Sequence, residues 1–77
     1  MPKALVCITT SLDATNEVLH QLRACEGVEE AYMVHGVYDI VAQISATDLD
    51  ALKRVLTDRV MATKNVNKTL TLIVMDK

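Results

Sequence analysis

Near the midpoint of the chain, Val34-His35-Gly36-Val37-Tyr38-Asp39 separates two strand-like runs at 28–33 and 40–44. No other feature constrains the fold as much. Gly36 can take the positive φ that a tight connection needs, so the spacing predicts a hairpin. A strand-and-helix pattern precedes this hairpin, and a helix-and-strand pattern follows it.

In the first half, Ala4-Leu5-Val6-Cys7-Ile8 is a continuous apolar run, as expected of a strand covered on both faces. Ser11, Asp13 and Thr15 interrupt it, and each has a side chain able to cap a helix start. Residues 16–24 then place Val18, Leu19, Leu22 and Cys25 on one helical stripe, with Glu17, Gln21 and Arg23 facing outward. Cys25-Glu26 is read as the last helical turn and Gly27 as its C-cap.

After the hairpin, Thr47 or Asp48 caps a second helix with Asp50 in its first turn. Leu49, Leu52, Val55, Leu56 and Val60 fall at helical spacing, and the helix is expected to stop at Lys64 or Asn65. Residues 66–75 form the last strand, with Val66, Leu70, Leu72 and Val74 on one face and Asn67, Thr69, Thr71 and Ile73 on the other. The order is β-α-β, hairpin, β-α-β, an internal pseudo-repeat. It predicts an α+β fold of ferredoxin-like βαββαβ type, a four-stranded antiparallel sheet with two helices on one face. Right-handed crossovers place both helices together. The opposite face carries Val, Met, Ile and Thr rather than charges, and a second sheet packed on it would bury that surface.

Composition sharpens that point. The chain has 77 residues, enough for one small domain over 1–77, yet 51% are apolar and none is Phe or Trp. One small core cannot hide so much apolar surface, so a homo-oligomer is expected. The net charge is −2, which argues against nucleic-acid binding through net charge; Lys53, Arg54, Arg59, Lys64 and Lys68 read as a solvated helix face and strand end. Pro2 and Lys3 lead directly into the first strand, without the pattern of a signal peptide, and no apolar run approaches the roughly 20 residues of a membrane helix. Cys7 and Cys25 read as small buried residues in a reduced, cytoplasmic setting, with no CxxC to suggest redox or metal chemistry.

Groupings that would carry catalysis are thin. Neither His20, read as a surface residue, nor His35 has a local Ser or Cys to form a nucleophile pair. No spacing gathers His35, Cys7 and Cys25 around a metal. Asp48 and Asp50 serve a helix start and Asp13 a turn. Asp39 is different, because a carboxylate at the start of a central strand needs a partner. A hairpin cap on local amides would supply one; a bound cation would supply another.

The stretch EGVEEAYMVHGVYDIVAQISATDLDALKRVL, residues 26–56, resembles the effector-binding domain of the Lrp/AsnC transcription regulators, also called the RAM domain. The Val28-Glu29-Glu30-Ala31-Tyr32 run, the Gly36-Val37-Tyr38-Asp39 turn and the helix from Asp48 to Leu56 carry the likeness. The closing Lys68-Thr69-Leu70-Thr71-Leu72-Ile73-Val74 adds a Thr-x-Thr strand, and the resemblance runs in order along essentially the whole chain. Full-length members also carry a helix-turn-helix that reads DNA, for which this sequence has no room. The chain therefore looks like a stand-alone form, and direct DNA binding does not carry over.

The resemblance implies dimers formed by sheet-to-sheet packing, assembly of those dimers into larger rings, and small effectors, usually amino acids, bound between protomers. It makes Gly36, Val37, Tyr38 and Asp39 the ligand-binding turn, with Thr69 and Thr71 on the facing strand. The chemistry is coherent: Asp39 would take the ammonium of a zwitterion, while amides near Gly36 or hydroxyls take its carboxylate. For Thr69 and Thr71, plain strand propensity is the competing explanation. The expected function is a non-enzymatic amino-acid sensor that needs no cofactor and no metal. The alternative is an assembly module that joins a full-length Lrp/AsnC regulator without a ligand of its own. A small enzyme on this frame is disfavoured: acylphosphatase-like chemistry needs an arginine that Thr9-Thr10-Ser11-Leu12 lacks, and a metal chaperone needs a CxxC there.

Overall fold

A computed structural model describes residues 1–75. The elements are β1 (Lys3–Thr10), α1 (Thr15–Arg23), β2 (Val28–Met33), β3 (Ile40–Ser45), α2 (Leu49–Val55) and β4 (Val66–Ile73), with a five-residue π-helical turn, Leu56–Val60, continuing α2. The four strands form one antiparallel sheet in the order β2-β3-β1-β4. This is the ferredoxin-like arrangement that the pseudo-repeat predicts.

The register explains which side chains are buried. Ala4, Val6 and Ile8 of β1 lie opposite Ile44, Ala42 and Ile40 of β3, and all six are fully buried. Val18, Leu19 and Leu22 of α1, with Leu52 of α2 and Val60 of the π turn, close over them. Each large aliphatic side chain so buried contributes about 1.5–3 kcal/mol. The intervening residues Leu5, Cys7, Val41 and Gln43 point to the opposite face, where no element of this protomer packs among the described residues. β1 is therefore covered on one face only, contrary to what its unbroken apolar run predicts. Cys7, on that far face, and Cys25, in the turn after α1 with its Sγ 3.3 Å from the Gln21 carbonyl oxygen, are half-buried free thiols rather than core residues.

Several boundaries differ from the sequence reading. Residue Ala14 occupies the N-cap of α1 with no side-chain cap, so neither Ser11, Asp13 nor Thr15 serves there. Asp13 instead takes a left-handed φ of 65° in the preceding turn, and the Ser11 carbonyl accepts from the Ala14 N–H. Helix α1 ends at Arg23, before Cys25-Glu26, and Gly27 follows a further turn with φ 97°. Helical geometry in the second half stops at Val60, short of Lys64 and Asn65, and Asn65 carries a left-handed φ of 71° just before β4. The expected Asp48 cap is present: its side chain accepts from the Ala51 N–H at 2.8 Å. At the β2 edge, Arg23 donates through Nε and Nη2 to the Ala31 carbonyl at 3.1 and 2.8 Å, covering part of an otherwise open strand.

Candidate functional site

The connection between β2 and β3 spans six residues rather than a tight two-residue turn. Its ends are closed by the Val34 N–H donating to the Asp39 carbonyl at 2.9 Å. The Asp39 N–H donates in turn to the Ile8 carbonyl at 2.9 Å, tying the loop to β1. Gly36 has φ 157°, at the border of extended backbone, and a Cβ built on it would meet no heavy atom within 4 Å. The loop thus presents its backbone around Gly36 openly. His35, Gly36 and Val37 are exposed, whereas Tyr38 and Asp39 are half-buried.

The Asp39 side chain has a specific partner, though not the local amides of a hairpin cap. Its Oδ2 accepts from the Thr10 N–H at 2.8 Å and lies 3.3 Å from the Thr10 hydroxyl. Thr10 Oγ1 is in turn 2.7 Å from Thr15 Oγ1. A carboxylate at the end of the β2–β3 loop is thereby joined to the end of β1 and the first residue of α1. Oδ1 makes no hydrogen bond among the described residues, which leaves one oxygen for a cation.

Thr69 and Thr71 sit elsewhere on the sheet. They pair with Ile8 and Val6 across the β1–β4 ladder, so both project to the helix side of an edge strand. Ile8 also pairs with Ile40, which places Thr69 two strand spacings, about 10 Å, from the start of β3. Thr71 is one pleat repeat, about 7 Å, further along. Within one protomer, then, β1 stands between Asp39 and both threonines. Thr69 is half-buried and Thr71 exposed.

Thr10 and Thr15 were not among the residues that the sequence singled out for this site. Thr10 entered only as part of a stretch without an arginine and Thr15 as a helix cap; only the pairing of β1 with β3 brings them to Asp39. Apart from this cluster, an open depression of about 320 Å³ lies at the β2 edge, lined by Arg23, Glu29, Glu30, Ala31 and Tyr32. There Tyr32 bonds to Glu30, and Gln43 donates to Glu29 at 2.9 Å, so these acids already have neutral partners. Among the described residues no group of three or more His, Cys, Asp or Glu side chains is placed to hold a metal ion.

Comparison with known proteins agrees with the architecture. The family model described as the Lrp/AsnC ligand binding domain matches residues 3–77. The structure superposes on that of FFRP-DM1 with a TM-score of 0.93, at 28% identity, covering 97% of this chain and 100% of the other. With AsnC of Escherichia coli the TM-score is 0.90 at 27% identity, covering 99% of this chain but 52% of AsnC. Homocitrate synthase of Saccharolobus solfataricus is 35% identical over 63 residues, 82% of this chain and 13% of that enzyme. The chain thus spans about one eighth of the curated relatives it matches.

Proposed function

The chain belongs to the Lrp/AsnC ligand-binding-domain family, and from that premise we propose that it is a non-enzymatic sensor of an amino acid or a related metabolite. The observation that carries this reading is Asp39: a carboxylate beside an open loop, with Oδ2 fixed by Thr10 and Oδ1 uncommitted. An ammonium group would dock on Oδ1, and the open amides near Gly36 would meet the ligand's carboxylate. Val37 and Tyr38 would border the same site. Thr69 and Thr71, remote from Asp39 within a protomer, would contribute only across an interface. The reading also includes dimers packed through their sheets and a larger ring of such dimers, in a cytoplasmic setting consistent with two free thiols. The whole of residues 1–77 is taken as one such domain. Homocitrate synthesis is not proposed, since the likeness covers 13% of that enzyme.

Calorimetry tests this. Free amino acids at millimolar concentration are expected to bind the wild type, and Asp39→Asn is expected to weaken binding by about 1.5–3 kcal/mol, the range for a charge-assisted hydrogen bond. Equal binding by an Asp39→Asn variant that assembles normally would reduce Asp39 to a structural tie.

A second reading has its own observation: the fold coincides with about half of AsnC, the share expected of a module that can pair with a full-length regulator. In that case the chain assembles without a ligand, and co-purification with a full-length Lrp/AsnC protein would occur while no amino acid binds. By either reading the chain alone holds DNA weakly, because its net charge is −2. Submicromolar, salt-sensitive retention of DNA in a gel shift at near-physiological ionic strength would refute that.

A further inference from the structure

We propose that Thr10, with its hydroxyl set by Thr15, is a positioning residue that presents Asp39 Oδ1 to the ammonium group of the ligand. This rests on the sensor reading above and goes one step deeper into the same site.

An ionised carboxylate only accepts hydrogen bonds. The contact between Thr10 Oγ1 and Asp39 Oδ2 therefore uses the single proton of the Thr10 hydroxyl. The 2.7 Å contact between Thr10 Oγ1 and Thr15 Oγ1 must then have Thr15 as donor. The result is a one-way chain from Thr15 through Thr10 to Asp39. With the Thr10 N–H also on Oδ2, one carboxylate oxygen is held from two directions. Oδ2 is thereby committed to Thr10, and Oδ1 has no hydrogen-bond partner among the described residues.

Two observations separate this from a simple latch. The loop is already closed without the side chain, because the Asp39 N–H and carbonyl bond to the Ile8 carbonyl and the Val34 N–H. The side-chain clamp is thus surplus to holding the hairpin. In addition, the β1–β4 register shifts between Thr9 and Thr10, and the Lys68 N–H turns to the Thr9 hydroxyl. Thr10 still lies opposite Val66 of β4 beyond this irregularity, and its N–H, on the same strand edge as the Ile8 carbonyl, goes to the Asp39 side chain on the β3 side. Preset geometry of this kind lowers the ordering cost of binding.

The test uses calorimetry with the twenty L-amino acids, each paired with its N-acetyl derivative, which lacks the ammonium. Wild type, Asp39→Asn, Thr10→Val, Thr10→Ser and Thr15→Val are compared, with thermal melts of each. Thr10→Val is expected to weaken the best free amino acid roughly tenfold, at the low end for a bond to a charged group because 3.3 Å is long. Thr10→Ser, which keeps the hydroxyl, is expected to bind within about threefold of wild type. Preference for free over N-acetyl ligand should fall in Thr10→Val, whereas a merely structural role would weaken both forms alike. Thr15→Val, which removes the donor but leaves β1 untouched, is expected to lose roughly threefold and decides the matter if Thr10→Val does not fold. Loss of binding in Asp39→Asn with wild-type binding in both threonine-to-valine variants would overturn the positioning role and leave the sensor reading intact. Failure of every free amino acid to bind wild type better than its N-acetyl form would overturn both.

Discussion

At Gly27 the backbone takes φ 97°, and a Cβ built there would stand 3.0 Å from Val55 Cγ2 and 3.1 Å from Cγ1. Left-handed backbone costs a residue with a side chain about 1–2 kcal/mol, and the contact with Val55 adds to it. Gly27→Ala is therefore expected to destabilise the fold by about 1–3 kcal/mol in urea denaturation. Pairing it with Val55→Ala should cost less than the two single changes sum to, because the clash is then relieved. No recovery in the double variant would place the whole effect in φ. The sequence marks Gly27 as a stop after a helix, which is a local property. It does not mark Val55, 28 positions on, as the side chain that needs the missing Cβ. Asp39 follows the same pattern. Its need for a partner is legible from a carboxylate at a strand start, but Thr10, 29 positions earlier, becomes that partner only through the β1–β3 ladder.

Elements were legible where one period ran without competition. The three buried residues of β3 alternate along its length, and Leu52 and Val60 continue the stripe that marks the second helix. Ends were less legible. Apolar spacing carries the second helix on past Val60, but the backbone widens into a π turn at Leu56–Val60 and then stops. Asn65, tolerant of the left-handed region, turns the chain into β4 while its carbonyl accepts from the Ser11 N–H at 2.9 Å. Caps show the same limit. Five candidate cap residues lie at the starts of the two helices in sequence with equal chemical claims; the Asp48 side chain takes the role, while the Thr15 hydroxyl is drawn to Thr10. Asp48→Ala should lower stability by about 1 kcal/mol, and Asp48→Ser should restore most of it, read by thermal melting. Equal stability of the Ala variant would show that α2 is held by the packing of Leu52 and Val55 without its cap.

On the whole molecule, the far face of the sheet is the largest unfinished feature. Leu5 on β1, Tyr32 on β2 and Leu70 and Leu72 on β4 are 37%, 51%, 46% and 49% exposed, and they share that face with Cys7 and Val41. Their apolarity is plain in the sequence. What packs on them is not, because it lies outside the covalent chain and leaves no trace in the spacing. A second copy meets the need most directly: the same apolar strip on each partner is self-complementary about a two-fold axis. A stable pair buries about 800 Å² per partner, and central apolar residues carry most of the energy. Leu72→Lys puts a charge on that apolar strip while leaving the helix-side core untouched, since Leu72 pairs with Leu5 on the far face. Light scattering at micromolar concentration is expected to give an oligomer for wild type and a smaller species for Leu72→Lys. The melting temperature of wild type should rise with protein concentration, and that of the variant should not. Thr71→Lys, one residue away but facing the helix side, controls for added charge on an edge strand. If Leu72→Lys keeps the wild-type mass, the sheet face is not where protomers meet.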